Sequence, residues 1–229
     1  MMIEKSGSIE LRDISIAEEL PSEMKEVAAG MVRVKHLYRS ALKVAVTQME
    51  ILDEEFAGLY DHSPIHHIEH RIKTLDSTVK KLKRRGYAVT IDNIYAHIQD
   101  MAGVRVICNY LDDIYYLRGL LTRTESFHVI RETDYIKEPK DSGYRSLHLI
   151  VEIPIFLSNE KRFMRVEVQL RTIAMDFWAS LEHKLRYKKD IPQEHAQEIA
   201  RQLIECAETV SRTDQQMLDI RRQIEESGR

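Results

Sequence analysis

Residues 134–188 read DYIKEPKDSGYRSLHLIVEIPIFLSNEKRFMRVEVQLRTIAMDFWASLEHKLRYK, and this stretch decides the fold. From Met164 to Arg171 the residues alternate strictly. A strand here places Met164, Val166, Val168 and Leu170 on one face and Arg165, Glu167, Gln169 and Arg171 on the other. Over residues 144–153 the same test puts Leu147, Leu149, Val151 and Ile153 on one side and Tyr144, Ser146 and His148 on the opposite side. Two such strands side by side present a carboxylate, an amide, an aromatic ring and an imidazole to one cleft. The same pattern also describes a solvated outer sheet face. After Arg171 the sequence becomes helical, with Thr172 as cap and basic residues closing the helix. Trp178, Leu181 and Leu185 are expected to face the sheet, with Glu182 and Lys188 left for polar work.

Upstream, KEPKDSG carries two lysines, a proline and a glycine, the composition of a substrate loop. A strand is expected over 127–131 and a helix from Asp112 and Asp113 to about residue 122, its acids favouring the helix dipole. DMAGVRVICNY reads as a further strand, with Asp100 just before it and Arg105 within it. A short helix precedes it over 92–99.

The first long helix is expected from Ser22 to about Gly58, on the apolar series Met24, Val27, Met31, Val34, Tyr38, Ala41, Ala45, Met49, Leu52, Phe56 and Leu59. A second is expected from Pro64, capped by Ser63, to Gly86. Ile68, Ile72, Leu75, Val79 and Leu82 form its apolar stripe. Beside them Lys73, Ser77, Lys81 and Arg84 form a row of cations and a hydroxyl that suits a triphosphate, or simply a solvated face. Among His62, His66, His67 and His70, the 66/70 pair has the helical spacing of two zinc ligands, without an acid or cysteine at ligand spacing to complete a site. Beyond Pro192 the series Ala196, Ile199, Leu203, Cys206, Val210, Thr213, Met217, Ile220 and Ile224 makes a heptad seam. The two long helices are expected to pack on one another or across a subunit boundary.

The 229 residues carry a net charge of −3 with 31% charged and 43% hydrophobic residues, so nothing global draws the chain to nucleic acid. Cys108 and Cys206 form no CxxC, which indicates neither a disulfide framework nor a cysteine zinc site. With no apolar run of about 18 residues and no signal segment, the expectation is a cytoplasmic protein with no membrane contact.

The eight glycines make neither a GxxxxGK[ST] loop nor GxGxxG, so a nucleotide must be held by side chains. Arg and Lys suit phosphates, Tyr144 suits stacking on a base, and Asp100 and Glu167 suit magnesium. Two acids at strand ends fit phosphoryl or pyrophosphoryl transfer, in which a divalent ion neutralises developing charge.

Four motifs in order, HSPIHHIEHRIK with Ser77, Lys81 and Arg84 following, QDMAGVRV, DYIKEPKDSGYRSLHL and VEVQLRTIAMDFWASLEHKLRYK, resemble the RelA/SpoT-type alarmone synthetases over residues 61–188. The likeness is to the small, synthetase-only members, and TIAMDFWASLEHK is most similar to the RelP-type branch. The resemblance implies a GTP diphosphokinase that transfers the β,γ-pyrophosphate of ATP to the 3′-hydroxyl of GTP or GDP, giving (p)ppGpp and AMP. By the same resemblance Arg71 and Arg105 sandwich the adenine, and Lys73, Ser77, Lys81 and Arg84 hold the ATP phosphates. Asp100 and Glu167 are then catalytic and carry Mg2+, with Glu167 assisting deprotonation of the acceptor. Tyr144 stacks on guanine, Lys140 and His148 approach the acceptor's phosphates, and Gln169 lines the cleft.

None of the ten histidines is followed by Asp, so the metal motif of the family's hydrolase domain is missing and no hydrolysis is expected. Arg131, Glu132 and Thr133 match neither charged signature of the long enzymes. Residues 45–52 lack the lysines of the allosterically activated branch, and RNA binding is not indicated. The expected fold is α+β, a mixed, largely antiparallel sheet of about five strands, nucleotidyltransferase-like, flanked by helices. The expected parts are an arm (1–21), a long helix (22–60), the synthetase domain (61–188) and a C-terminal helix (189–229) for a homotetramer. A catalytically silent nucleotide- or RNA-binding regulator of the same fold is the alternative, and it would be expected to lack an acid at 100 or 167.

Overall fold

The computed structural model describes residues 22–186 and 193–227. The order is α1 (Ser22–Leu59), β1 (Ile65–Ile72), α2 (Leu75–Arg84), α3 (Ile91–His97), β2 (Ala102–Cys108), α4 (Leu111–Leu121), β3 (His128–Asp134), β4 (Leu147–Phe156), β5 (Lys161–Thr172), α5 (Ile173–Arg186) and α6 (Gln193–Ser227). The arm 1–21, Lys188 and the side chains of Met24 and Val27 lie outside the described residues. The five strands form one sheet in the order β1-β2-β5-β4-β3. Only β2 and β5 run parallel, so the sheet is mixed and mostly antiparallel, as expected.

Strict alternation in β5 and β4 divides the sheet into two faces. Met164, Val166, Val168 and Leu170 are buried with Leu147, Leu149, Val151 and Ile153, and they face the helices. Onto that face pack Val34, Tyr38, Ala41, Ala45 and Met49 of α1 and Ile114, Leu117 and Leu121 of α4. Each of the valine, leucine, isoleucine and methionine side chains among them contributes roughly 1.5–3 kcal/mol by leaving water. The opposite face, with Glu167, Gln169 and His148, is the open one.

The expected second helix is two elements. Residues 65–72 form edge strand β1 against β2, and the helix begins only at Leu75. Thr74 is its N-cap, with Oγ1 accepting from Ser77 N at 3.2 Å, a stop signal inside an apolar series that runs on at helical spacing. The strand also dissolves the histidine pair. Four residues of strand span about 13 Å, so His66 and His70 cannot share an ion. His66 instead meets His67, ring nitrogen to ring nitrogen, at 2.7 Å.

Two further expectations fail on α5 and α6. Trp178 is buried not under the sheet but between α5 and α6, beside Ala179, Ala207, Leu203 and Val210, and its Nε1 donates to Leu203 O at 3.0 Å. Leu181 and Leu185 are 44% and 47% exposed. On α6 the buried line is Ala207, Asp214 and Leu218, while Cys206, Met217, Ile220 and Ile224 of the apolar seam are exposed. Polar anchors set this rotation. Thr172 Oγ1 donates to Asp214 Oδ2 at 2.6 Å, and Arg221 reaches Asp112 at 3.3 Å and Asp113 at 3.5 Å at the start of α4. A count of apolar residues cannot see anchors of that kind. The α1 seam packs on the sheet rather than on α6, which leaves the α6 seam outward.

Candidate active site

Register across the sheet assembles the open face. Arg71 of β1 lies opposite Gly103 of β2, Gly103 opposite Glu167 of β5, Glu167 opposite Ile150 of β4, and Ile150 opposite Arg131 of β3. The neighbouring row is Glu69, Arg105, Gln169, His148 and Thr133. Directly opposed residues share a face, so both rows are aimed into one cleft. Gly103 leaves space between Arg71 and Glu167.

Two cavities open on this face. One, of about 250 Å³, is lined by Arg71, Arg105, Gly103, Asp100, Glu167 and Gln169 among others. The second, of about 240 Å³, is bounded by Lys81, Arg85, His97, Asp100, Arg131 and Glu167. Asp100 and Glu167 therefore belong to both, at the boundary between them.

Around Asp100, Lys73 Nζ donates to Oδ2 at 2.9 Å and Lys81 Nζ stands 2.8 Å from Oδ1. Burial opposes ionisation, but Lys81 and Lys73 outweigh it and hold the Asp100 carboxyl below its usual range. Lys73 precedes α2 and is placed by its backbone N–H donating to Met101 O at 2.8 Å, while Lys81 comes from α2 itself. The row expected along one helix thus converges from a strand end and a helix. Ser77 sits in the first turn of α2, taking a hydrogen bond from Thr74 Oγ1 at 2.8 Å. Arg84 is exposed and lines neither cavity, and Arg85, one residue on, lines the second.

Glu167 is likewise kept ionised below the ordinary range. Burial pushes the other way, and the His148 contact at 3.2 Å and a hydrogen bond from Gln169 Nε2 at 2.9 Å override it. A chain of contacts continues outward. His148 Nε2 lies 2.8 Å from Tyr144 Oη, Tyr144 Oη accepts from Arg171 Nη2 at 2.6 Å, and Arg171 Nη1 donates to Asp176 Oδ1 at 3.0 Å. Asp176 also faces Arg105 at 3.3 Å, and Arg105 donates to Glu69 Oε2 at 2.7 Å. Lys140 Nζ stands 4.3 Å from the Tyr135 ring centroid and 4.7 Å from that of Tyr144. Burial lowers its pKa, with Glu167 opposing and Arg171 assisting.

The loop before Tyr144 is tied by Gly143 N donating to Lys140 O at 2.7 Å. Gly143 has φ +86°, and a Cβ there would come within 2.7 Å of Ala207 Cβ, so only glycine fits both the turn and the approach of α6.

The structure brings Arg71, Arg105, Asp100, Glu167, Gln169, Lys73, Lys81, His148, Tyr144 and Lys140 to this cleft or its border, whereas Ser77, like Arg84, is exposed and lines neither cavity. Arg171, Asp176, Tyr135 and Glu69 were not assigned from the sequence. Arg171 stood on the polar side of the β5 alternation, which was the one signal available. The donor set suits magnesium, which binds through one or two carboxylates plus substrate phosphates. Asp100 Oδ1 is buried, and its ion pair with Lys81 lies outside hydrogen-bond alignment.

Residues 70–192 match the profile described as "Region found in RelA / SpoT proteins". GTP pyrophosphokinase YwaC of Bacillus subtilis is 41% identical over 191 residues, 82% of this chain and 89% of that protein. Among solved structures, small alarmone synthetase 2 of B. subtilis is 40% identical, covering 84% of this chain and 98% of that one, with a TM-score of 0.74. Small alarmone synthetase 1 of the same organism, bound to its product pppGpp, is 34% identical, covering 85% and 98%, with a TM-score of 0.78. With a five-stranded mixed sheet, a cleft of converging cations and two shared carboxylates, and relatives matched over most of its length, this chain belongs to the RelA/SpoT family, among its small alarmone synthetases.

Proposed function

We infer that the protein is a (p)ppGpp synthetase that moves the β,γ-pyrophosphoryl group of ATP to the 3′-hydroxyl of GTP or GDP. The observation that carries this is the pair Asp100 and Glu167, both held ionised at the boundary of two cavities with cationic walls. In this reading Arg71 and Arg105 clamp the adenine, and Lys73, Lys81 and Ser77 take the phosphates. Tyr144 carries the guanine, with Lys140, His148 and Gln169 around the acceptor. The acceptor 3′ oxygen bonds to the β phosphorus of ATP as the bond from that phosphorus to the α–β bridging oxygen breaks. AMP leaves with that oxygen and its electron pair, and the hydroxyl proton passes to Glu167. His148 and Gln169 orient Glu167 for this. Asp100 and Glu167 would hold Mg2+, which supplies charge neutralisation at the transferring phosphates. The enzyme works in the cytoplasm as a homotetramer, for which the outward seam of α6 is the available surface. The matched relatives, GTP pyrophosphokinases and alarmone synthetases, favour the enzyme over a silent regulator.

The test is Asp100→Asn and Glu167→Gln. Each should fold and lose on the order of a thousandfold in rate, because a hard oxygen ligand is removed from the transition state. Either variant turning over within about tenfold of the parent contradicts the assignment.

A further inference from the structure

Arg131 occupies the end of the row that runs Arg71, Gly103, Glu167, Ile150, Arg131, and it lines the second cavity. A bulge brings it there. Val129 pairs with Val151, but the next partner of Ile150 is Arg131 rather than Ile130. Without the extra residue Arg131 would oppose Leu149, whose side chain is fully buried on the helical face. One residue of slip exchanges the faces of a strand, so the bulge is what turns this guanidinium from the core side to the cleft.

The charges around it are uneven. Lys73 and Lys81 are paired with Asp100, and Arg105 with Glu69 and Asp176. Among the described residues Arg131 has no ion-pair partner. It shares its cavity with Lys81, Arg85 and His97, against the carboxylates of Asp100 and Glu167. Strands lie about 4.8 Å apart, so Arg131 starts two strands, about 10 Å, from Glu167, and an extended arginine spans most of that gap. A fork of donors without an acid, facing a cation-walled cavity beside two metal-type carboxylates, suits a phosphate group.

We propose that the second cavity receives the pyrophosphoryl end of the donor and that Arg131, with Arg85 beside it, is a further residue binding that group. This rests on the functional reading above. A donor whose base sits on Arg71 and Arg105 in the first cavity runs its phosphates past Asp100 and Glu167, and the second cavity lies beyond them. Arg131 then neutralises charge on the group in transit, from the side opposite Lys73.

The test is calorimetric titration of the parent, Arg131→Gln and Arg131→Lys with magnesium and a non-transferable methylene-bridged ATP analogue, AMP, or GTP. Arg131→Gln should bind the analogue about tenfold to a hundredfold more weakly, the effect of losing a charge-assisted hydrogen bond. AMP, which lacks the pyrophosphoryl group, and GTP should bind as they do to the parent. Arg131→Lys should fall between the two, and on an exposed edge strand both variants should melt with the parent. Analogue affinity within twofold of the parent overturns the proposal. So does a loss confined to GTP, which would give the cavity to the acceptor's 5′ phosphates. Failure of the parent itself to bind adenine nucleotides would instead count against the functional reading.

Discussion

His148 Nδ1 lies 3.2 Å from Glu167 Oε1, while the other ring nitrogen lies 2.8 Å from Tyr144 Oη, so one imidazole joins the Tyr144 ring to the Glu167 carboxylate. The hydroxyl of Tyr144 is therefore tied to the carboxylate through the imidazole. Its oxygen also accepts from the buried Arg171.

Tyr144→Ala removes the stacking surface, worth about 1–3 kcal/mol, and should lower kcat/KM for the acceptor by roughly 5- to 150-fold. Tyr144→Phe keeps the ring but strips partners from His148 and from the buried guanidinium, so a loss of about 5- to 20-fold is expected. Steady-state kinetics on both nucleotides, beside melting curves, check this. If ATP dependence suffers as much as GTP dependence and the protein melts well below the parent, the ring is a core residue instead.

Asp176 stands between Arg171, a neighbour of Tyr144, and Arg105, which lines the first cavity. Asp176→Asn should raise KM for ATP and for GTP together, by about tenfold each, since one carboxylate holds both guanidinium groups. A change confined to one nucleotide would show that the bridge is not shared.

Because the carboxyls of Asp100 and Glu167 titrate below their ordinary range in the folded protein, the unfolded chain binds protons first as pH falls. Their contribution to stability is thus present above about pH 4.3 and is lost as pH drops through the lower folded values. Glu167→Gln should lose less stability than the parent between about pH 5 and pH 3 in urea denaturation. Parallel pH curves for the two proteins would contradict the depressed pKa.

The apolar seam of α6 lies outward at Met217, Ile220 and Ile224. Ile220→Glu should shift a homotetramer to smaller species in light scattering while leaving the melting temperature of the subunit little changed, because a carboxylate would have to be buried only on association. Leu203→Glu is a different case, since Leu203 packs against the cluster around Trp178 and should weaken the fold itself. A monomeric parent would end the assembly account.

Much of this was legible in the sequence for a physical reason. In β4 and β5 the alternation of period two coincides with one buried face, so Leu147 to Ile153 and Met164 to Leu170 declared both the strands and the cleft side where His148, Glu167 and Gln169 stand. Edge strand β1 is mostly exposed, and its isoleucines continue at helical spacing into α2, so only the Thr74 cap separates the two. The inward face of α6 is fixed by Asp214 and Arg221, polar residues that an apolar count sets aside. The position of Arg131 depends on a bulge, and a bulge leaves no mark in periodicity.

The most direct test of the central claim is the identity of the products. Incubation with ATP, GTP and Mg2+, followed by anion-exchange chromatography, should give AMP and a guanosine pentaphosphate in equal amounts, with none formed when the metal is chelated. Accumulation of ADP without AMP, or no turnover of either nucleotide, would contradict pyrophosphoryl transfer.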